Sequence, residues 1–158
     1  MAVPPRKKPA RRTKPSRSKA LELFETWREG GELVDVLAGK TAKALAEGQL
    51  TAAREHFAEY EKLLRTHMAH EEDVSFPLAE KRAPSQGGPI KSLRVAHIGM
   101  RRDLEQIGQH LDRGHMDAAR ALFSALLASF AAHEKLEDQL IELLRNSRSA
   151  TGSARRSR

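Results

Sequence analysis

The sequence predicts an all-α fold, an antiparallel up-down four-helix bundle with an internal two-helix pseudo-repeat, and three observations carry that reading. Leu and Ala dominate the apolar residues and β-branched residues form no runs, which favours helix over strand. Apolar residues recur at helical spacing over stretches of roughly 22 to 30 residues separated by short turns, the pattern of helices long enough to need a bundle to cover them. The chain also repeats without a gap at an offset of 66: Leu45 matches Leu111, Gly48 matches Gly114, and Ala52, Ala53 and Arg54 match Ala118, Ala119 and Arg120. Phe57 matches Phe123, His67 matches His133, Glu71 matches Glu137, and Glu72 aligns with Asp138. Two helical hairpins about a pseudo-twofold axis explain that register.

Composition divides the 158 residues into one domain, 20–145, and two tails, 1–19 and 146–158. Residues 1–19 hold eight Lys/Arg and no acid, and residues 145–158 hold five Arg and no acid. The body between them keeps 15 basic and 21 acidic residues, so the net charge of +7 belongs to the tails. The body therefore gives no support to a nucleic-acid binder, although the tails can contact nucleic acid or anionic surfaces non-specifically through charge. There is no cysteine, which excludes disulfides, thiolate metal sites and cysteine nucleophiles. No apolar run approaches the roughly 20 residues that span a bilayer, no apolar stretch follows the basic start, and the cytoplasm is the expected compartment.

Taken in order, residues 1–19 place Pro4, Pro5, Pro9 and Pro15 among the charges and read as a disordered tail. Helix one is expected from about Ser18 to Glu47, with a stripe of Phe24, Trp27, Val34, Ala38, Thr41 and Leu45. Gly30 and Gly31 lie inside that stripe and cost about 2 kcal/mol relative to alanine, so they either serve packing or bend the helix. Gly48 ends it. Helix two is expected from Thr51 as N-cap to about Lys81, with a kink at Pro77. Residues 83–89 read as a loop. Helix three follows from about Ile90 to Leu111, with Val95, Ile98, Leu104, Ile107 and Leu111 as its apolar positions. Gly114 ends it, and Asp117 caps a fourth helix that runs to about Arg145. Residues 146–158, rich in Ser and Arg with one Gly, read as a second disordered tail.

The chemistry lies in a repeated motif, His-x-x-x-Glu, at His67–Glu71 and His133–Glu137. Each copy sets an imidazole and a carboxylate one turn apart on one helix face. A single copy is ordinarily a surface polar pair. Here His67 falls on the line of Tyr60, Leu63, Leu64 and Val74, and His133 on the line of Phe123, Leu126, Phe130 and Leu140, so both point into the core. Buried carboxylates are costly unless paired or metal-bound. Two inward Glu, two inward His and an inward His97 satisfy one another poorly without a cation. Nitrogen and oxygen ligands without sulfur suit a transition metal.

The segment from His67 to Pro77 (HMAHEEDVSFP), the later Ala96-His97-Ile98 and the HEKLED segment from His133 resemble the hemerythrin-like, HHE cation-binding domains over about residues 20–145. That resemblance implies a non-haem iron site of one or two ions inside the bundle. In the di-iron pattern His67 and His133 bind different irons, Glu71 and Glu137 bridge them, and His97 is the third-helix ligand. The chain departs from the pattern twice. The offset puts Gly31 where a first-helix histidine belongs, and Arg101 stands where oxygen-carrying relatives have a further histidine. Glu29 or Glu32 could fill the gap, Trp27 could wall a small cavity beside Gly31, and Arg101 would repel cations unless paired with Glu71 or Glu137. Of the other polar residues, His70 reads as a surface or supporting group, and His56, His110 and His115 as solvent-facing. Glu72 and Asp138 read equally as hydrogen-bond partners of a ligand or as solvated acids, and Met100 as core.

Three functions follow. The first is a non-haem iron protein, or one with manganese, that binds or senses O2, NO, iron or a related small oxidant. The second is a metal-free bundle acting as an interaction module through its tails. The third is an iron-dependent enzyme of peroxide or NO chemistry. The sequence leaves oligomeric state open.

Overall fold

The computed structural model describes the backbone of residues 17–153 and the side chains of residues 32–144; the remaining parts of both tails, and the side chains of Phe24, Trp27 and Glu29, lie outside them. All regular structure among the described residues is helical. Helix α1 spans Arg17–Ala46 and α2 spans Leu50–His70. A π-helical turn, Glu71–Ser75, joins α2 to α3, Phe76–Arg82. A 3-10 turn, Pro84–Gln86, leads into α4, Gly87–Asp112, and α5 covers Met116–Ser153. Helix α1 packs on α2 and α5, and α4 packs on α5 and α2, so the four long segments close a ring.

Both sharp turns use the same device. Gly48 and Gly114 adopt φ of 69° and 74°, a left-handed conformation that only glycine takes without strain. The next residue's N–H returns to the carbonyl five residues back, Gln49 to Ala44 and His115 to His110, at 3.0 and 2.8 Å. This is the Schellman closure of a helix C-terminus, and it brings the His110 and His115 rings to 5.7 Å. Because the closure ends directly at the next helix, neither expected cap is used. Helix α2 starts at Leu50 after Gln49, with no side-chain cap bond, so Thr51 lies inside it. Asp117 lies inside the first turn of α5 and accepts from Arg120 Nη2 at 3.1 Å. There its charge favours the helix dipole.

The two hairpins differ at Arg54 and Arg120. The Arg54 guanidinium donates to the Leu111 carbonyl through Nε (3.0 Å) and Nη2 (2.8 Å), and to the Asp112 carbonyl at 2.9 Å. It satisfies carbonyls that the end of α4 leaves without helical partners. Its counterpart Arg120 pairs instead with the exposed Asp117.

The α1 stripe is buried at Val34, Ala38, Thr41 and Leu45, and the helix runs unbroken through Gly30 and Gly31. In α4 the expected stripe is corrected. Val95 and Ile98 are 59% and 66% exposed, whereas Ile90, Leu93, His97, Met100, Leu104, Ile107 and Leu111 are buried. Once His97 faces inward, Ile98 is displaced by one helical step, about 100°, and Val95 by two. The expected loop at 83–89 is shorter than anticipated, since α4 begins at Gly87 and takes Pro89 into its first turn, where a proline costs no hydrogen bond. Helix α5 continues past Arg145 to Ser153.

The core falls into two apolar clusters. The larger joins Val34, Phe57, Tyr60, Leu64, Met68, Met100, Leu104, Phe123 and Phe130. The smaller joins Phe76, Ala79, Ile90, Leu93, Leu140 and Leu144. Arg54→Ala should lower stability by about 1.5–3 kcal/mol, the range for hydrogen bonds from a charged donor, while Arg120→Ala should change it by less than about 0.5 kcal/mol; thermal unfolding of both variants measures the difference.

Candidate metal centre

Between the two apolar clusters lies a polar layer made by α2, the π-turn, α4 and α5. Glu71 and His97 are fully buried, and His133 and Glu137 are nearly so at 3% and 5% exposure. His67, at the edge of the layer, keeps 9% of its side chain exposed. All five residues expected to bind metal therefore meet at one level of the fold.

Glu71 is the centre of the layer. Its Oε1 lies 2.8 Å from His67 Nε2, and its Oε2 lies 3.0 Å from His97 Nε2 and 3.8 Å from His133 Nε2. The Nε2 atoms of His97 and His133 are 2.7 Å apart, and His133 Nδ1 is 3.7 Å from Glu137 Oε2. Two donor sets follow, Glu71 with His97 and His133, and Glu71 with His67 and Glu137, each with its ligand atoms within 4.8 Å of one another.

Protonation suits ligation. Burial raises the Glu71 pKa, but hydrogen bonds from His67, His97 and Glu137 outweigh it and hold the carboxyl well below its usual range. Burial pushes His133 down to about 4, helped by the neighbouring His97 and His67 and opposed by Glu71. At neutral pH the layer thus offers a carboxylate and a neutral imidazole, the forms that bind metals. Buried His67 Nε2 and His133 Nδ1 have no well-aligned hydrogen bond among the described residues. Close-set imidazole nitrogen and carboxylate oxygen atoms in these protonation states fit a divalent transition metal.

The π-turn shapes the layer. A π-helix bonds i to i+5 and widens the helix by one residue per turn. Pro77, second residue of α3, has no N–H to return to the preceding turn, and the adjustment falls on its N-terminal side rather than as the kink expected at the proline itself. Its effect is to change which residues face inward. Val74, expected on the His67 line, is 38% exposed, and Ser75 is buried instead. Glu71 and Glu72 now both reach His97, one at each ring nitrogen. Helix α5 has no such turn, so Asp138, aligned with Glu72 by the repeat, stays exposed.

Glu72 resolves the role of Arg101. His97 Nδ1 donates to Glu72 Oε1 at 2.8 Å, and Arg101 Nη2 donates to Glu72 Oε2 at 2.9 Å. Arg101 therefore pairs with Glu72, rather than with Glu71 or Glu137, the partners that would otherwise have relieved its repulsion of a cation. The Arg101 bond, opposed by burial, lowers the Glu72 pKa. Phe76 was missed as part of the site: its ring stacks on His97 at 5.4 Å and 27°, and the Arg94 guanidinium lies over the same ring, 5.2 Å from its centroid. Its place in the Phe-Pro segment was the available signal.

The remaining expectations divide. Glu32 is exposed, and Trp27, Glu29 and the surroundings of Gly31 lie outside the described side chains. His70 and His115 are exposed, whereas His56 and His110 are half-buried rather than solvent-facing. Met100 is core at 1% exposure. The Tyr60 hydroxyl is buried without a hydrogen-bond partner among the described residues; burial, with Asp35 and Glu134 adding, holds its pKa far above the phenol value.

Phe76→Ala should cost about 3–5 kcal/mol, the usual price of deleting a buried ring, with His97 losing its stacking partner; urea unfolding against wild type measures the loss, and Phe76→Leu should recover part of it.

A family profile described as the Hemerythrin HHE cation binding domain matches residues 22–144, while no curated protein and no solved structure matches the chain. The matched span contains both His-x-x-x-Glu motifs, His97 and the helices that bring them together. By this match the chain belongs to the hemerythrin HHE family, whose domain binds a metal cation.

Proposed function

We propose that the protein is a non-haem iron protein that holds two metal ions in the polar layer and binds or senses O2 or a related small oxidant. The observation that carries this reading is the double membership of Glu71, which contributes to both donor sets. A carboxylate shared by two clusters of imidazole and carboxylate donors supports a centre of two ions, which Glu71 would help to hold in common. His97 and His133 would serve one, and His67 and Glu137 the other. Iron is the metal typical of the family, and manganese shares its ligand preferences.

When bound, iron would supply redox chemistry and coordination positions that the three-donor sets leave free. The protein's own contribution is distinct from that. Glu71 presents a charged carboxylate held in place by its histidine neighbours, and His133 presents a neutral ring. The apolar clusters on either side of the layer keep bulk water away, which strengthens electrostatic interactions within it. The short Gly48 and Gly114 turns support an up-down antiparallel arrangement, and their shared closure supports a duplicated hairpin. The few donors in each set also favour a second reading, peroxide or NO handling at an open position, which peroxide consumption by iron-loaded protein would separate from sensing.

Elemental analysis of the isolated protein should find two irons per chain, with near-ultraviolet absorption from an oxo-bridged pair. Helical protein that takes up no Fe(II) would sink the proposal. Gly31→His tests whether that position is the absent first-helix ligand, by raising affinity without changing stoichiometry. Fe(II) at 100 times its Kd should add about 2.7 kcal/mol of stability and raise Tm by roughly 5–10 °C; Glu71→Ala, which removes the residue common to both sets, should abolish that rise.

A further inference from the structure

We infer that Glu72, held by Arg101, is the positioning residue of the metal centre: it fixes the proton of His97 on Nδ1 and thereby aims Nε2 at the ion. This rests on the metal-binding reading above and goes beyond it to residues outside the ligand set. His97 is fully buried, and its two nitrogens meet different partners. Nε2 faces Glu71 and His133 within the donor set. Nδ1 faces Glu72 Oε1 at 2.8 Å. A carboxylate at Nδ1 can only accept, so it selects the tautomer that leaves the Nε2 lone pair for a metal and makes that nitrogen more basic.

Among the described residues His133 has no equivalent. His133 Nδ1 has no hydrogen-bond partner among the described residues, and its aligned acid, Asp138, is exposed. Asymmetry therefore marks His97 as the pre-oriented ligand. Arg101 completes the arrangement. Its Nη2 donates to the second oxygen of Glu72 at 2.9 Å, which restrains rotation of the carboxylate, and the pairing neutralises the guanidinium charge beside the site. Phe76 stacks on the same imidazole and limits its tilt. Glu72 keeps 26% of its side chain exposed and Arg101 33%, so both can be changed without opening the core.

The test uses the full-length protein, wild type and the variants Glu72→Ala, Glu72→Gln and Arg101→Ala, loaded with Fe(II) or Co(II). Affinity is read by chelator competition and fold by circular dichroism. Glu72→Ala should bind metal roughly 10–100-fold more weakly, the usual cost of losing the partner of a metal-bound histidine, with helicity unchanged. Glu72→Gln, which keeps an acceptor oxygen but not the charge, should recover part of the loss, and Arg101→Ala should lose less than Glu72→Ala. In the Co(II) protein, proton NMR should show a hyperfine-shifted His97 ring N–H that exchanges slowly with water. That resonance should broaden or vanish in Glu72→Ala and return in Glu72→Gln, a response that a merely structural role would not produce. Wild-type uptake with affinity and N–H signal unchanged in Glu72→Ala would overturn this inference alone. No uptake by wild type would overturn the metal-binding reading, and this inference with it.

Discussion

The fold depends on a buried charged layer that it cannot satisfy with ordinary packing. Glu71 and Glu137 sit between two apolar clusters, where an unpaired carboxylate would cost several kcal/mol. The layer is tolerable because imidazoles crowd around Glu71 from three helical segments, His67 from α2, His97 from α4 and His133 from α5. Apolar burial above and below holds the helices together, and the layer fixes how they must be rotated about their own axes. A helix turned by one residue would take its ligand out of the core and put a surface group in its place.

The sequence match at an offset of 66 is most informative where the two halves differ. The two turns remain near copies in backbone and hydrogen bonding. The halves part at the functional end. One has His97 and the other Gly31; one passes through a π-turn and the other continues as a plain α-helix. These two differences act together, because the π-turn brings Glu72 to a histidine that exists in only one half. Arg101, which looks on sequence like an obstacle to a cation, becomes part of the same unit by pairing with Glu72.

Much of this was legible in the sequence, for reasons that can be named. Helical periodicity located the four long segments, and glycine at the two turns located their ends, because positive φ leaves little choice of residue. The inward placement of His67 and His133 followed from their register with neighbouring apolar positions. The failures share a cause as well. Val95 and Ile98 were assigned to the core by hydrophobicity alone, although a buried His97 excludes them from its face. Val74 was placed by α-helical arithmetic across a segment that is not α-helical. Thr51 and Asp117 have capping chemistry, but the Schellman closures start the next helix before either is needed. Glu72 could not be separated from Asp138 by a repeat that treats them as equivalents. Local propensity does not report a π-turn, and three-dimensional pairing decided each of these cases.

The matched glycine turns also have an electrostatic consequence. His67 and His133 each lie 17 residues into their helices from the first residue, which at 1.5 Å per residue is about 25 Å. That exceeds twice the Debye length in physiological salt, about 8 Å. Exposed charges at the turn end, beside Arg54 on the α4 carbonyls and the His110–His115 pair, therefore act only weakly across that distance through solvent. Surface charge at one pole of the molecule can vary with little effect on the buried layer at the other.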